Sequence, residues 1–309
     1  MKAVICTAYG LPEVLKIDNI QKPIPKNNEV LVKIMATAVN SGDVRVRALV
    51  VNGIKKILML IVLGFSKPRK PILGNVYAGT IEHVGQKVTA FKIGDKVFGM
   101  TGFNFGTYAE YITVKEHSSI SSMPQNATFE EAASIIFGGQ TATYFLNKAN
   151  ISEKINPAIL IIGATGAVGL AAIQIAQYYG ASITAVCSSA GKSLIENLGI
   201  TNIILYDKED FTKQDTVYDI IFDTIGKTTK KQCCNLLKPK GIYKTVDGFE
   251  YAKESKQQLA FLKMLFEKEH FKAIIDKTFQ FEHIIDAHTY VDTGRKKGSV
   301  ILKVASISV

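Results

Sequence analysis

The densest chemistry in the sequence lies where Ile159-Leu-Ile-Ile162 runs into Gly163-Ala-Thr-Gly166-Ala-Val-Gly169 and on into Leu170-Ala-Ala-Ile-Gln-Ile-Ala176. A strand, a glycine-rich turn and a helix in that order form the usual cradle for a dinucleotide pyrophosphate. Gly166 lets the backbone approach the phosphates, and Gly169 lets the helix pack on the strand. The helix start supplies amides and a positive dipole end; Gly163, Ala164, Thr165, Ala167 and Val168 complete the cradle. Ala164 stands where the first glycine is usual, so the motif is a variant of the fingerprint. About 20 residues on, an NAD site would place an acidic residue for the ribose hydroxyls. The second strand instead ends at Val186-Cys187-Ser188-Ser189, with no Asp or Glu. Ser188, Ser189 and Lys192, with Tyr206 at the end of the next strand, suit a 2′-phosphate and hence NADPH. A plainer reading has Ser188 or Ser189 capping the following helix and Lys192 solvated.

Other reactive side chains form no constellation. The five histidines (His83, His117, His270, His283, His288) have no ligand spacing. His83 on a strand and His288 in a helix read as packing or surface residues. Cys6, Cys187, Cys233 and Cys234 include no CxxC pair and no disulfide framework, which fits a reducing, cytoplasmic location.

The elements that must position these groups fall into two textures. Up to residue 120, short β-rich runs such as Val30–Met35, Tyr77–Val84 and Lys96–Phe98 are punctuated by Gly, Pro and Asn, which predicts a small β-barrel. After Pro124 the pattern changes. Thr128, with Glu131 three residues on, opens a helix as a capping box. Strands Ile159–Ile162, Ser182–Cys187, Ile203–Tyr206, Asp219–Phe222 and Ile242–Val246 then alternate with helical stretches Val168–Tyr179, Ala190–Leu198 and Thr229–Leu237, which predicts a parallel sheet of βαβ units. A helical stretch Tyr251–Glu269 and a last strand Ser299–Val304 follow.

Length and composition fit this division. The 309 residues are 47% hydrophobic, enough for two domains and too apolar for disorder. The net charge of +10 is scattered; Lys67-Pro-Arg-Lys70 and Arg295-Lys-Lys297 are short clusters that read as solvated loops, not a nucleic-acid footprint. The opening Met1-Lys-Ala-Val-Ile-Cys6 turns polar too soon for a signal peptide. Ile57-Leu-Met-Leu-Ile-Val-Leu-Gly-Phe65 falls short of the ~20 residues that span a bilayer, so stable membrane insertion is not expected. A buried or pocket-lining helix is the simpler reading of that run, with loose membrane contact the other.

Together with the glycine turn, a series of landmarks resembles the medium-chain dehydrogenase/reductase superfamily, in its zinc-independent quinone-oxidoreductase branch. They are Met1-Lys-Ala-Val4, Gly10-Leu-Pro-Glu-Val-Leu15, Val39-Asn-Ser-Gly-Asp43, Gly94-Asp-Lys-Val97, Tyr108-Ala-Glu-Tyr111, Gly139-Gln-Thr-Ala142, Tyr206-Asp-Lys-Glu-Asp-Phe211, Phe222-Asp-Thr-Ile-Gly226, Lys238-Pro-Lys-Gly241 and Ala287-His-Thr-Tyr-Val-Asp-Thr-Gly294. The resemblance covers nearly the whole chain. It implies a GroES-like catalytic domain built from residues 1–123 and 250–309, a Rossmann domain over residues 124–249, and an active site in the cleft between them. It places Asn40 near the nicotinamide and the acceptor oxygen, and Thr141 near the nicotinamide end. Ile225 and Val246 would lie along the cofactor. Zinc-dependent relatives carry a Cys where this chain has Asn40, a His where it has Asn75, and a third ligand near Phe137; none of the three suits zinc.

Three features depart from the resemblance. Gln140 stands where a leucine is usual. The segment Arg45–Pro71 is expected to line the acceptor side. A helix and a sixth strand, about 20–25 residues by mean element lengths, are missing where Val246-Asp-Gly-Phe249 passes into Tyr251. A sheet of five to six strands follows, and the family's strand-to-strand dimer is in doubt; a monomer or another interface are both open.

The expected activity is hydride transfer from NADPH to an acceptor that is already electrophilic, a small hydrophobic quinone or enone. Asp43 and Tyr77 are proton-donor candidates, with a turn-capping Asp43 and a packing Tyr77 as the structural reading and solvent as a third source. A 2-alkenal or enoyl-thioester reductase and a non-catalytic NADPH-binding sensor or adaptor are the alternatives.

Overall fold

The computed structural model describes residues 1–50, 54–248 and 250–304. Residues 51–53 of the expected acceptor-side segment, and Phe249 at the expected deletion, lie outside them.

The first half is a β structure closed by short helices. β1 (Lys2–Cys6) and β2 (Leu15–Asn19) form an antiparallel ribbon. β3 (Glu29–Val39) is the trunk of a seven-stranded sheet. It leads into α1 (Ser41–Ala48) and α2 (Ile54–Leu63), followed by β4 (Val76–Val84), β5 (Lys96–Met100), β6 (Tyr111–Lys115) and β7 (Ile120–Ser122). β4 pairs along one edge of β3, and β6 pairs with Glu29–Lys33 on the other. The far half of that second edge is taken by a strand from the end of the chain, so both chain ends build one sheet. Along β3 alternation sends Val30, Val32 and Ile34 into one core with Ile81, Val97 and Ile120, and past the register shift between Ile34 and Ala36 the residues Met35, Ala36 and Ala38 join another.

α3 (Phe129–Lys148) joins the two halves. Its capping box forms as the sequence predicts, with Thr128 Oγ1 accepting the Glu131 N–H and the Glu131 carboxylate accepting the Thr128 N–H. The parallel sheet then follows: β8 (Ala158–Ile162), α4 (Ala167–Tyr178), β9 (Ser182–Cys187), α5 (Lys192–Glu196), β10 (Asn202–Leu205), β11 (Tyr218–Asp223) and β12 (Leu237–Thr245). The spatial order is β10-β9-β8-β11-β12, and every pair is parallel. Successive strands leave β8 in both directions, which creates a topological switch point at the ends of β8 and β11. α6 (Lys256–Glu267) packs on α3, and β13 (Ile275–Gln280), α7 (Ile284–Asp292) and β14 (Ser299–Lys303) return the chain to β3.

The structure corrects three expected helices. Thr229–Leu237 is turns and a single 3-10 segment, Cys234–Leu236. Its start signal does form, since the Gln232 Oε1 accepts the Thr229 N–H at 2.8 Å. Too few residues remain before β12 for propagation to repay nucleation. Ala190–Leu198 divides into the 3-10 turn Ser189–Gly191 and the short α5. Tyr251–Glu269 is helical only from Lys256, where Ser255 caps α6 by accepting the Gln258 N–H. The sheet ends at β12, five strands wide. Among the described residues no helix is long and apolar enough to cross a membrane.

Candidate active site

At the switch point each glycine of the turn has a separate steric reason. Gly163 is left-handed (φ +79°), and a Cβ there would strike Ile225 at 2.4 Å. A Cβ on Gly169 would fall 2.3 Å from the Gly163 carbonyl oxygen, so helix and strand touch only because it is glycine. Gly166, by contrast, caps α4 without a side-chain bond, and a Cβ there would meet nothing closer than 3.6 Å. Its flank is open. The first helical bond, Leu170 N–H to Gly166 O, leaves the amides of Ala167, Val168 and Gly169 ahead of the ladder. The turn is rigid: Gly163 and Ala164 both donate to Val186 O, and Thr165 O accepts the Gly298 N–H at 2.9 Å. An open flank bordered by fixed amides is the geometry a pyrophosphate needs.

The region expected to hold the adenosine carries one charge more than expected. Ser188 occupies the capping position of the Ser189–Gly191 turn, but its side chain makes no capping bond. Lys192 and Tyr206 are exposed, with Lys192 Nζ 3.6 Å from Glu196. Asp207 is also there. Its Oδ1 accepts the Ser189 N–H at 2.8 Å, and Ser189's hydroxyl and N–H hold its carboxyl below the usual range. No acidic residue lies at the end of β9 in sequence, yet one lies there in space. In a parallel sheet Leu205 pairs with Cys187, so the residues just past each strand are neighbours. Lys297, read from sequence as part of a solvated cluster, donates from Nζ to the Ala190 carbonyl and brings a second cation to the same rim.

At the other end, the three positions compared above with zinc ligands converge. Asn40 caps α1: its Oδ1 accepts the N–H of Gly42 (2.8 Å) and of Asp43 (3.1 Å). Those two donors fix its amide orientation, so Nδ2 must point away, where it donates to Asn75 Oδ1 at 2.9 Å. Asn75 is thereby oriented as well. Its own Nδ2 has no partner among the described residues and is not sealed from solvent. Phe137 packs beside them, with its ring 3.7 Å from where a Cβ on Gly42 would be. No cluster of three or more His, Cys, Asp or Glu that would hold a metal occurs among the described residues.

The two proton-donor candidates lie elsewhere. Asp43 is fully buried behind Asn40, where Oδ2 accepts the Asn40 N–H (3.1 Å) and the Tyr108 hydroxyl (3.0 Å). Burial raises its pKa to about 7. Tyr77 is fully buried in the core of β3, β4 and β5, its hydroxyl without a partner, and burial alone pushes its pKa up. Neither side chain reaches the cleft in this structure.

Thr141 lies on α3 with a hydroxyl that bonds nothing in the described protein and keeps solvent access. Gln140 turns away from the cleft; its Oε1 accepts the Ser255 N–H and its Nε2 donates to Ser119 Oγ, tying β7's approach to the start of α6. Ile225 and Val246 follow β11 and β12, at the same carboxyl end of the parallel strands as the glycine turn after β8. Thr224 bridges them, its hydroxyl 2.8 Å from Ile162 O.

Residues 26–125 match the alcohol dehydrogenase GroES-like domain family, and residues 167–273 the zinc-binding dehydrogenase family. The chain is 33% identical over 324 residues to the 2-methylene-furan-3-one reductase of Solanum lycopersicum, covering 98% of this chain and 79% of that protein. It is 30% identical over 320 residues to the chloroplastic NADPH-dependent alkenal/one oxidoreductase of Arabidopsis thaliana, again covering 98% and 79%. The solved quinone oxidoreductase of Coxiella burnetii has a TM-score of 0.88 and 27% identity, with 99% of both chains covered. The chain belongs to the medium-chain dehydrogenase/reductase superfamily, in its quinone-oxidoreductase-like branch.

Proposed function

We propose that the protein is an NADPH-dependent reductase acting on a small hydrophobic quinone or another electron-poor conjugated carbonyl. The observation that carries this reading is the Asn40–Asn75 amide pair. It sits where zinc relatives hold their metal, and it ends in an uncommitted N–H donor instead of a ligand set. Such a donor stabilises negative charge on a carbonyl oxygen but does not deprotonate an alcohol. The names of relatives that match almost the whole chain, an enone reductase and an alkenal/one oxidoreductase, support the acceptor class.

When bound, NADPH supplies the hydride. The chain's own residues bind and orient. The amides after Gly166 would hold the pyrophosphate, and Ser188, Ser189, Lys192, Tyr206 and Lys297 the adenosine phosphate. Thr141, Ile225 and Val246 would hold the nicotinamide half. Asn75 Nδ2 donates to the acceptor oxygen as it becomes an enolate or phenolate. Asp43 acts as a positioning residue, because its carboxylate holds the capping box that aims both amides. The proton that completes the product then comes from solvent.

Residues 1–123 and 250–309 form the catalytic unit in this reading, and 124–249 the cofactor unit. A reducing, cytoplasmic compartment is consistent with four free cysteines. The open edge at β12 carries Lys238, Pro239, Lys240 and Lys244 and is irregular where Lys240 is left-handed, all of which discourage pairing between chains.

Fluorescence titration with NADPH and NADH, followed by addition of 9,10-phenanthrenequinone, tests the reading. Tighter binding of NADPH and its oxidation on adding the quinone are expected. Binding without turnover across quinones and enones would favour a sensor, and no binding would remove the cofactor site.

A further inference from the structure

We propose that α2 and the segment after it form a docking surface for an anionic lipid bilayer. A helix lying on a protein normally turns an apolar stripe inward and polar residues outward. α2 is apolar on both sides. Leu63 and Met59 face inward, onto the core that includes Val4, Leu15 and Val39. On the outer side Ile57 is 59% exposed, Ile61 51% and Val62 61%, and Phe65 just beyond is 70% exposed. At about 100° per residue, Ile57, Ile61 and Val62 share an arc of roughly 140°, with Met59 and Leu63 opposite. Burying such a ridge is favourable, and nothing in the described chain covers it.

Charge identifies the occupant. Between Val44 and Ile81 the sequence has seven basic residues and no acidic one. Lys67, Arg69 and Lys70 are exposed directly after the ridge, and Lys67 and Arg69 form no ion pair among the described residues. Apolar side chains flanked by cations are the pattern of a segment lying in a bilayer interface, where insertion and attraction to anionic headgroups act together. The ten residues of α2 are half a membrane span, so the helix lies on the surface. A second copy of the chain fits less well. A two-fold interface would set the same lysines and arginine against one another, in a chain already at +10. The Tyr9 hydroxyl donates to Gly64 O at 2.8 Å and fixes the end of α2 to the β structure, so the ridge is presented rigidly. The inference is independent of the reductase reading.

The test uses the full chain and vesicles of phosphatidylcholine, with or without about a third phosphatidylglycerol. Sedimentation with the anionic vesicles should be at least about tenfold stronger than with the neutral ones and should weaken at high salt. Ile61→Asp with Val62→Asp should abolish it, and Lys67→Glu with Arg69→Glu should reduce it. Circular dichroism and NADPH titration should be unchanged, since these side chains are exposed and none of them is among the residues assigned to the cofactor. The chain has no tryptophan, so Phe65→Trp gives a single reporter whose emission should shift to the blue on anionic vesicles. No sedimentation and no shift would overturn the proposal. So would undiminished binding of the Ile61→Asp, Val62→Asp variant, which would make the attraction purely electrostatic. Self-association broken by those substitutions, without vesicle binding, would assign the ridge to a second copy instead.

Discussion

Asn40 links backbone and chemistry through one amide. Its oxygen is consumed by the α1 cap, and that alone decides which way Asn75 points. Asn75→Leu should therefore lower kcat by about 100–1,000-fold, the cost of losing one donor to a developing oxyanion, while leaving NADPH affinity unchanged. Asn40→Ala should lose the cap as well, about 0.5–2 kcal/mol of stability, which thermal unfolding would register. In the sequence Asn75 stands out only as a missing zinc ligand, because nothing in one dimension says that two asparagines 35 positions apart share a hydrogen bond. Asp207 is hidden for a similar reason: the end of β9 holds no acidic residue, and the carboxylate arrives from the end of the neighbouring β10. It occupies the Ser189 amide that a 2′-phosphate would approach. Asp207→Asn should tighten NADPH a few-fold by removing a like charge and leave NADH unchanged in a fluorescence titration. Weaker NADH binding would show instead that Asp207 grips the ribose.

The glycine turn was legible because its steric needs are local: strand, left-handed turn and close-packed helix all fall within a dozen residues. Its members respond differently to substitution. Gly166→Val places its branch in open space, so the fold should persist by circular dichroism while NADPH binding is lost. Gly169→Val drives atoms into the Gly163 carbonyl and should cost stability, about 1–3 kcal/mol for overpacking, measurable as a lower denaturation midpoint. The central strands β8 and β11 were also legible, since Ile159–Ile162 and Ile220–Phe222 are apolar runs buried on both faces. The segment Thr229–Leu237 was misread. It has a cap, helix-forming residues and buried Cys233 and Leu236, but propagation depends on length and tertiary support that a propensity count omits. The narrow sheet is expected from the short passage between Val246 and Tyr251, and it ends on a strand that carries lysines and a proline.

Across the whole molecule α3 is the element both halves share, packing on β3, β4 and β14 on one side and on α4 and α6 on the other. Gly138 permits this; a Cβ there would lie 2.3 Å from the Ala167 carbonyl. Near α1 and α7 lies a buried polar group whose titration should appear in global stability. His288 is buried with both ring nitrogens unpartnered, and burial together with the Arg47 guanidinium pushes its pKa down to about 3. Its contribution is complete above the unfolded value of about 6.5 and is lost as pH falls toward 3. Asp43, raised to about 7, works in the opposite sense. Its neutral form stabilises fully below the unfolded value of about 3.9, and that contribution is lost as pH rises toward 7. The two slopes oppose one another between about pH 4 and 6.5, each up to about 1.4 kcal/mol per pH unit. Asp43→Asn should make the protein more acid-sensitive over that range, and His288→Leu should reverse the trend, as read by denaturant unfolding at several pH values. None of this was visible in the sequence, where His288 was one histidine among five. Metal-free hydride delivery to an electrophilic carbon is tested most directly with NADPH deuterated at C4 and a conjugated enone, in the presence of a chelator, with the product read by NMR. Deuterium on the carbon β to the carbonyl is the expected result; a product without deuterium, or turnover that returns only on adding zinc, would contradict it.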